Sequence, residues 1–171
     1  IVGTFKKVLK WTLILLLVVV VGLAIWVGPM VYSAMVGYKI YETTPPELPA
    51  DIQAPAVLIF SKTNGFRSDE QIEATNAALV AMAEREGWSY FVTENAAVFN
   101  PAQLGQFQTV VFNSVSGDVF TPQQRADFKA WLEQGGGFVG LHGSGGDLSY
   151  DWKWYADELI GAQFIGHTLG P

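Results

Sequence analysis

The run from Trp11 to Val27 constrains this chain most: it holds no charge and is almost wholly leucine, valine and isoleucine. A helix of a water-soluble core shows a polar face at a period of about 3.6 residues, and none is visible here. Apolar character continues through Gly28-Pro29 to about Gly37. The stretch therefore exceeds the roughly 20 residues that a helix needs to cross a hydrocarbon core of about 30 Å. Trp11 and Trp26 fall near the two expected interfaces, where aromatic rings concentrate. A cleaved leader would have a shorter apolar region followed by a small-x-small site, and Tyr32-Ser33-Ala34 is a poor one. Residues 11–37 thus read as a single-pass transmembrane anchor behind a basic flank, residues 1–10. Lys6, Lys7 and Lys10 precede the span, and only Lys39 follows closely. That bias predicts a cytoplasmic N-terminus, with the remainder on the periplasmic or extracellular side.

Beyond the anchor the charge reverses. Residues 1–44 carry four bases and one acid, whereas residues 45–171 carry six bases against fifteen acids, a net −9. A domain so acidic, with no basic stripe, argues against a nucleic-acid partner. There is no cysteine, which removes disulfides, thiolate metal sites and a cysteine nucleophile together. Residues 38–54 include Thr43-Thr44-Pro45-Pro46-Glu47-Leu48-Pro49-Ala50, a proline-rich connector. Such a segment is extended and moderately stiff, and it is expected to hold the following domain off the membrane.

Residues 55–171 alternate between two periods. Ala56-Val57-Leu58-Ile59-Phe60 is a continuous apolar run, as in a strand buried on both faces. The polar loop 61–67 follows, with an Asn-Gly turn signal. Ser68 and Gln71 then have the spacing of a capping box. Ile72, Thr75, Leu79, Met82 and Ala83 share one helical face, and Gly87 is the stop. Further strands are expected at 88–93, 109–113 and 138–141, and a last one at 162–165. Short helical turns are expected from Asn100-Pro101, a capped helix from Thr121-Pro122-Gln123-Gln124, and a helix over 151–160 closed by Gly161. This alternation predicts an α/β fold with a mainly parallel sheet and right-handed crossovers. Loops 61–67, 114–118 and 142–147 then meet at the carboxyl edge of the sheet, where open α/β sheets bind ligands.

Gly135 to Asp147 frames a strand between two glycine clusters and ends it on His142. Gly140-Leu141-His142-Gly143-Ser144 has the place of a strand-to-helix nucleophile elbow, with histidine at the apex. His142 can serve as general base, metal ligand or structural hydrogen-bonding group. Asp118 can partner it or merely cap its own turn. His142, Asp147 and His167 form the one combination with two imidazoles and a carboxylate, a set that can hold zinc or another divalent ion, although their spacing matches no helical metal motif. Neither glycine cluster is a dinucleotide or phosphate-loop fingerprint, so no cofactor is expected. Trp152, Trp154 and Tyr155 offer either a stacking platform for a sugar ring or core packing; the spacing of Trp152 and Tyr155 on one face favours the core.

Phe112 to Thr121, Gly135 to Gly143, Tyr150 to Tyr155, and Leu159 to Phe164 with His167, together with Phe60 to Arg67, closely resemble the trehalose-utilisation-like (ThuA-like) domain. The resemblance covers about residues 56–167. It implies a flavodoxin-like α/β fold with helices on both faces of the sheet, related to class I glutamine amidotransferases. The relatives' catalytic cysteine would stand where this chain has His142, so the resemblance implies no amidotransferase activity. It associates the chain with bacterial use of disaccharides such as trehalose. Two positions depart from the family pattern: Ser68 replaces a histidine after Phe66-Arg67, and Thr168 replaces a proline after His167. The family domain runs past position 171, and the chain opens on Ile1, so it is expected to be a piece of a longer protein. The expected partner is a small-molecule carbohydrate. His142 and Asp118 are the candidate catalytic pair, and Asn64, Arg67, Gly143, Asp147, Trp154 and His167 the candidate substrate contacts.

Overall fold

The computed structural model describes residues 2–145 and 152–166. Helix α1, Val2–Met35, takes in most of the stretch 11–37 expected as an anchor. Within it Gly3–Ser33 is long and apolar enough to cross a membrane, and none of it is buried against the rest of the chain. The remaining elements are β1 (Ala56–Phe60), α2 (Asp69–Glu86), β2 (Ser89–Thr93), α3 (Pro101–Leu104), β3 (Thr109–Asn113), α4 (Pro122–Glu133) and β4 (Gly137–Leu141). A 3₁₀ turn, His142–Gly145, follows β4, and a π-helical turn spans Tyr155–Ile160.

All four strands are parallel, in the order β2-β1-β3-β4. This is the order of the first four strands of a flavodoxin-like sheet, whose topological switch point lies between β1 and β3. Period-2 alternation divides the strand residues between two layers. Leu58, Phe60, Val110 and Phe112 face a core completed by Phe99, Leu104, Phe120, Phe128 and Tyr155. On the other face the Asn113 amide donates to the Ile72 carbonyl of α2 at 3.0 Å, which places α2 there. Helices therefore cover both faces. The core is unusually rich in aromatic rings: Phe99, for example, meets Phe60, Phe112, Phe120 and Phe128 at centroid distances of 4.8, 5.8, 4.7 and 5.6 Å. Trp152 and Tyr155 are buried in it, in stacked contact at 5.6 Å, so core packing holds for this pair.

Four expectations change. Ser68 makes no side-chain cap bond, and the Gln71 side chain, which would complete the box, accepts from Ser114 instead. Met82 is exposed rather than part of the buried face; the buried stripe of α2 narrows to Ile72 and Ala83. Residues 162–166 form no strand, since a strand exists only where a neighbour accepts its ladder bonds and none among the described residues pairs with them. The connector, finally, does not stand free. Its carbonyls at Ile40, Glu42, Thr44 and Pro46, every second residue, accept from the side-chain amides of Asn64 (2.9 Å), Gln124 (2.8 Å), Asn95 (3.1 Å) and Gln103 (2.7 Å). Leu48 and Ile52 pack against the core. The connector is extended, but it is laid along the domain as a strap.

Candidate functional site

Asn113 and Leu141 are register partners on β3 and β4. The next residue on each strand, Ser114 and His142, turns into the left-handed region, with φ of 58° and 53°. Neither is glycine, so both positions carry backbone strain, which concentrates at functional sites. The Ser114 N–H donates to the Leu141 carbonyl at 3.0 Å, locking the two turns side by side. The elbow inferred at His142 is therefore present, and it is doubled.

A relay of side chains sets the imidazole. The Asn113 amide nitrogen donates to the Ile72 carbonyl and to Asn76 Oδ1 at 2.9 Å, so its oxygen is turned toward Ser114, 3.3 Å away. Ser114 Oγ donates to Gln71 Oε1 at 2.8 Å and lies 3.3 Å from His142 Nδ1. One hydroxyl has one proton. With that proton directed to Gln71, Ser114 offers the ring only lone pairs, an arrangement that suits the tautomer protonated on Nδ1. In that tautomer Nε2, at the far side of the ring, is the acceptor. His142 is exposed and Ser114 is buried; the ring meets solvent while its support is dry.

Ser144 is the fixed base of the same turn. Its buried hydroxyl donates to the Phe112 carbonyl at 2.9 Å and accepts from the Val115 N–H at 3.0 Å. Both bonds are structural, and they leave no freedom for a nucleophile. Gly143 lies beside the Ser114 backbone, where an added Cβ would stand 3.6 Å from the Ser114 carbonyl, an ordinary contact.

The other half of the edge is closed. Loops 61–67 and 114–118 are zipped together: Asn64 N–H donates to the Ser116 carbonyl at 2.8 Å, and Ser116 Oγ donates to the Phe66 carbonyl at 2.5 Å. Gly117, at φ 71°, is required there, because a Cβ would lie 2.5 Å from Gly65 N. Asn64 is buried and donates to the Asp118 carbonyl at 2.6 Å as well as to Ile40. The Asp118 carboxylate accepts from Arg125 at 2.5 Å on one oxygen and from the Tyr41 hydroxyl at 2.7 Å on the other. Burial first, and then the bond to Asp118, push the Tyr41 hydroxyl up to about 12. Arg67 grips Glu94 in a bidentate pair at 2.9 and 3.0 Å, and its Nε donates to Asp69 at 2.6 Å. The Glu94 bonds, with Asp69 adding to them, raise the Arg67 guanidinium still further above its usual range. Buried Lys62 pairs with Glu42 of the strap, whose second oxygen accepts from the Ala96 N–H at 3.1 Å.

The structure thus brings His142 and Gly143 together with Ser114 and Gln71, and it joins Asn64 to Asp118 beneath the strap. Arg67 is committed to Glu94. Trp154 lies away from this edge, its ring 5.1 Å from Lys129 Nζ of α4 and 5.3 Å from Trp152. Asp147 and His167 lie outside the described residues, so of the candidate metal set only His142 is placed. Among the described residues no three histidine or carboxylate side chains gather as a metal site. Sequence reasoning missed Ser114, Gln71, Tyr41 and Glu42. Ser114 could have been found as the residue one past a strand that ends beside the elbow.

The family model for trehalose utilisation (ThuA) matches residues 56–171, more than half of the chain. The chain belongs to the ThuA family. A crystal structure of a ThuA-like protein from Bacteroides uniformis shares the fold at a TM-score of 0.53 and 20% identity, covering 69% of this chain and 48% of that one. The chain therefore spans about half the length of that ThuA relative. No curated protein matches it.

Proposed function

We propose that this chain is a membrane-anchored ThuA domain that binds a carbohydrate at the carboxyl edge of β3 and β4, with His142 as the polar group that meets it. The observation that carries the reading is the exposed imidazole held on a strained turn and supported from behind by Ser114, Gln71 and Asn113. A sugar hydroxyl is a hydrogen-bond donor, and in the tautomer protonated on Nδ1 the Nε2 atom accepts from it. In a reaction the same atom would take the hydroxyl proton as general base. Histidine at the elbow is also why cysteine amidotransferase chemistry is not proposed. The membership in a trehalose-utilisation family supports a disaccharide as ligand, and α1 supports anchoring through residues 11–37.

A second reading, a sugar-binding module without turnover, is favoured by Asp118. Its carboxylate is held by Arg125 and Tyr41 rather than by His142, so no second acid–base group is paired with the imidazole. Calorimetric titration of trehalose and related disaccharides into the purified chain, with product analysis, tests both. Binding that weakens about tenfold or more in His142→Ala, the scale of one lost charge-assisted or well-placed hydrogen bond, supports the site. Binding without product selects the module. Absence of binding by any disaccharide at millimolar concentration would sink the carbohydrate reading.

A further inference from the structure

The strap fixes where the domain sits relative to its own anchor. With Trp11 at one interface, a helix rising about 1.5 Å per residue crosses a 30 Å hydrocarbon core by about Val31. Tyr32 to Met35 then lie in the headgroup layer, which is about 5–8 Å deep on each side. The chain turns back there. The N–H groups of Val36 and Gly37 both donate to the Tyr32 carbonyl, at 2.8 and 3.1 Å, and Gly37 reverses the backbone at φ 76°. The Tyr38 ring returns to lie 5.4 Å from the Tyr32 ring. From that level the Tyr38 N–H donates to the Asn64 carbonyl at 2.5 Å, and the Asn64 amide clasps Ile40 and Asp118. Loop 61–67 is thereby tied to the chain just past the Tyr32 turn, and its Phe66 is 48% exposed. Tyr32 and Tyr38 are in ring contact and Phe66 is exposed on the loop tied to them, residue types that membrane interfaces favour. Arg67 is neutralised by Glu94 and Asp69, so the loop presents an aromatic rather than a cationic contact.

We propose that the carboxyl edge of the sheet is a membrane-facing surface: residues 38–46 hold loop 61–67 in the headgroup layer, with Phe66 as the interfacial contact, and its partner is the bilayer that α1 crosses. The inference rests on the anchor reading above. It gives that reading a consequence, since a carbohydrate reaching His142 approaches a site carried at the lipid surface rather than on a free stalk.

The absence of cysteine makes the test direct. Phe66→Cys and, at the opposite edge of the sheet, exposed Gln106→Cys each carry one fluorescent label on the whole chain, reconstituted in phosphatidylcholine vesicles with a lipid-borne quencher. Quenching at position 66 should exceed that at 106 by twofold or more. Inserting about eight Gly/Ser residues between Gly37 and Tyr38, an r.m.s. reach of about 16 Å, should bring position 66 down to the level of 106. Equal quenching at the two positions, in chain that stays with the vesicles through carbonate washing, overturns the membrane-facing surface alone. Chain released by the wash overturns the anchor reading and this inference with it.

Discussion

At the residue scale, charge and hydroxyl groups that read as a catalytic set are divided between two tasks. His142 is presented to solvent, whereas Asp118, Arg67 and Asn64 hold loops and strap together. The Tyr41–Asp118 bond is the clearest case, and it has a pH signature. The Tyr41 hydroxyl rises from 10.0 to about 12, by burial first and then by its bond to Asp118, although 37% of the residue is exposed. A folded-state value above the unfolded one means that the native state holds the proton more tightly. The contribution is complete below about pH 10 and is lost as pH climbs toward 12. Tyrosinate absorbance of the wild type minus that of Tyr41→Phe should therefore titrate with a midpoint near 12. A midpoint at the ordinary value would show that the strap does not hold Asp118 in solution.

At the element scale, two helices that looked alike in sequence begin differently. Thr121 accepts from the Gln124 N–H at 3.3 Å, and Gln124 accepts back from the Thr121 N–H at 2.9 Å, a complete capping box. Ser68 and Gln71 have the same spacing and make no such box. In urea denaturation, Thr121→Ala should cost about 1 kcal/mol, the usual loss of an N-cap, and Ser68→Ala only a few tenths. Equal losses would show that the Ser68 cap forms after all. The difference also explains why this part of the site was not legible in sequence. A spacing of three residues states that Gln71 can bond backward to Ser68, but not that Ser114, forty-three positions later, stands closer to it.

For the whole molecule, the strap makes the connector part of the fold. Lys62 is almost fully covered, with a side chain 6% exposed, and its carboxylate partner comes from Glu42, 31% exposed. Removing one partner of a fully buried pair costs about 3–5 kcal/mol because the other is stranded. Glu42 keeps part of its hydration, so Glu42→Ala should cost less, about 1–3 kcal/mol. Lys62→Met, which removes the stranded charge and keeps the apolar stem, should cost less than Glu42→Ala. Chemical denaturation of the two variants decides this, and the reverse order would mean that Glu42 is not what neutralises Lys62.

Local pattern is enough for the uncharged run within α1, the apolar run of β1, the Val-Val-Phe centre of β3, the Thr121 cap, the glycine stops at Gly87 and Gly161, and the histidine at the end of β4. Each depends on neighbours within a few positions, and the ThuA motifs added the order in which they assemble. Tertiary structure alone decided which polar groups are spent and which remain. Gln71 meets Ser114, Tyr41 meets Asp118 and Glu42 meets Lys62 across separations of 43, 77 and 20 residues. Contacts of that kind are set by the stacking of parallel strands and by the path of the strap, which no local period encodes. His142 was therefore legible as an elbow, while its support by Ser114 and Gln71 emerges only when the strands lie side by side.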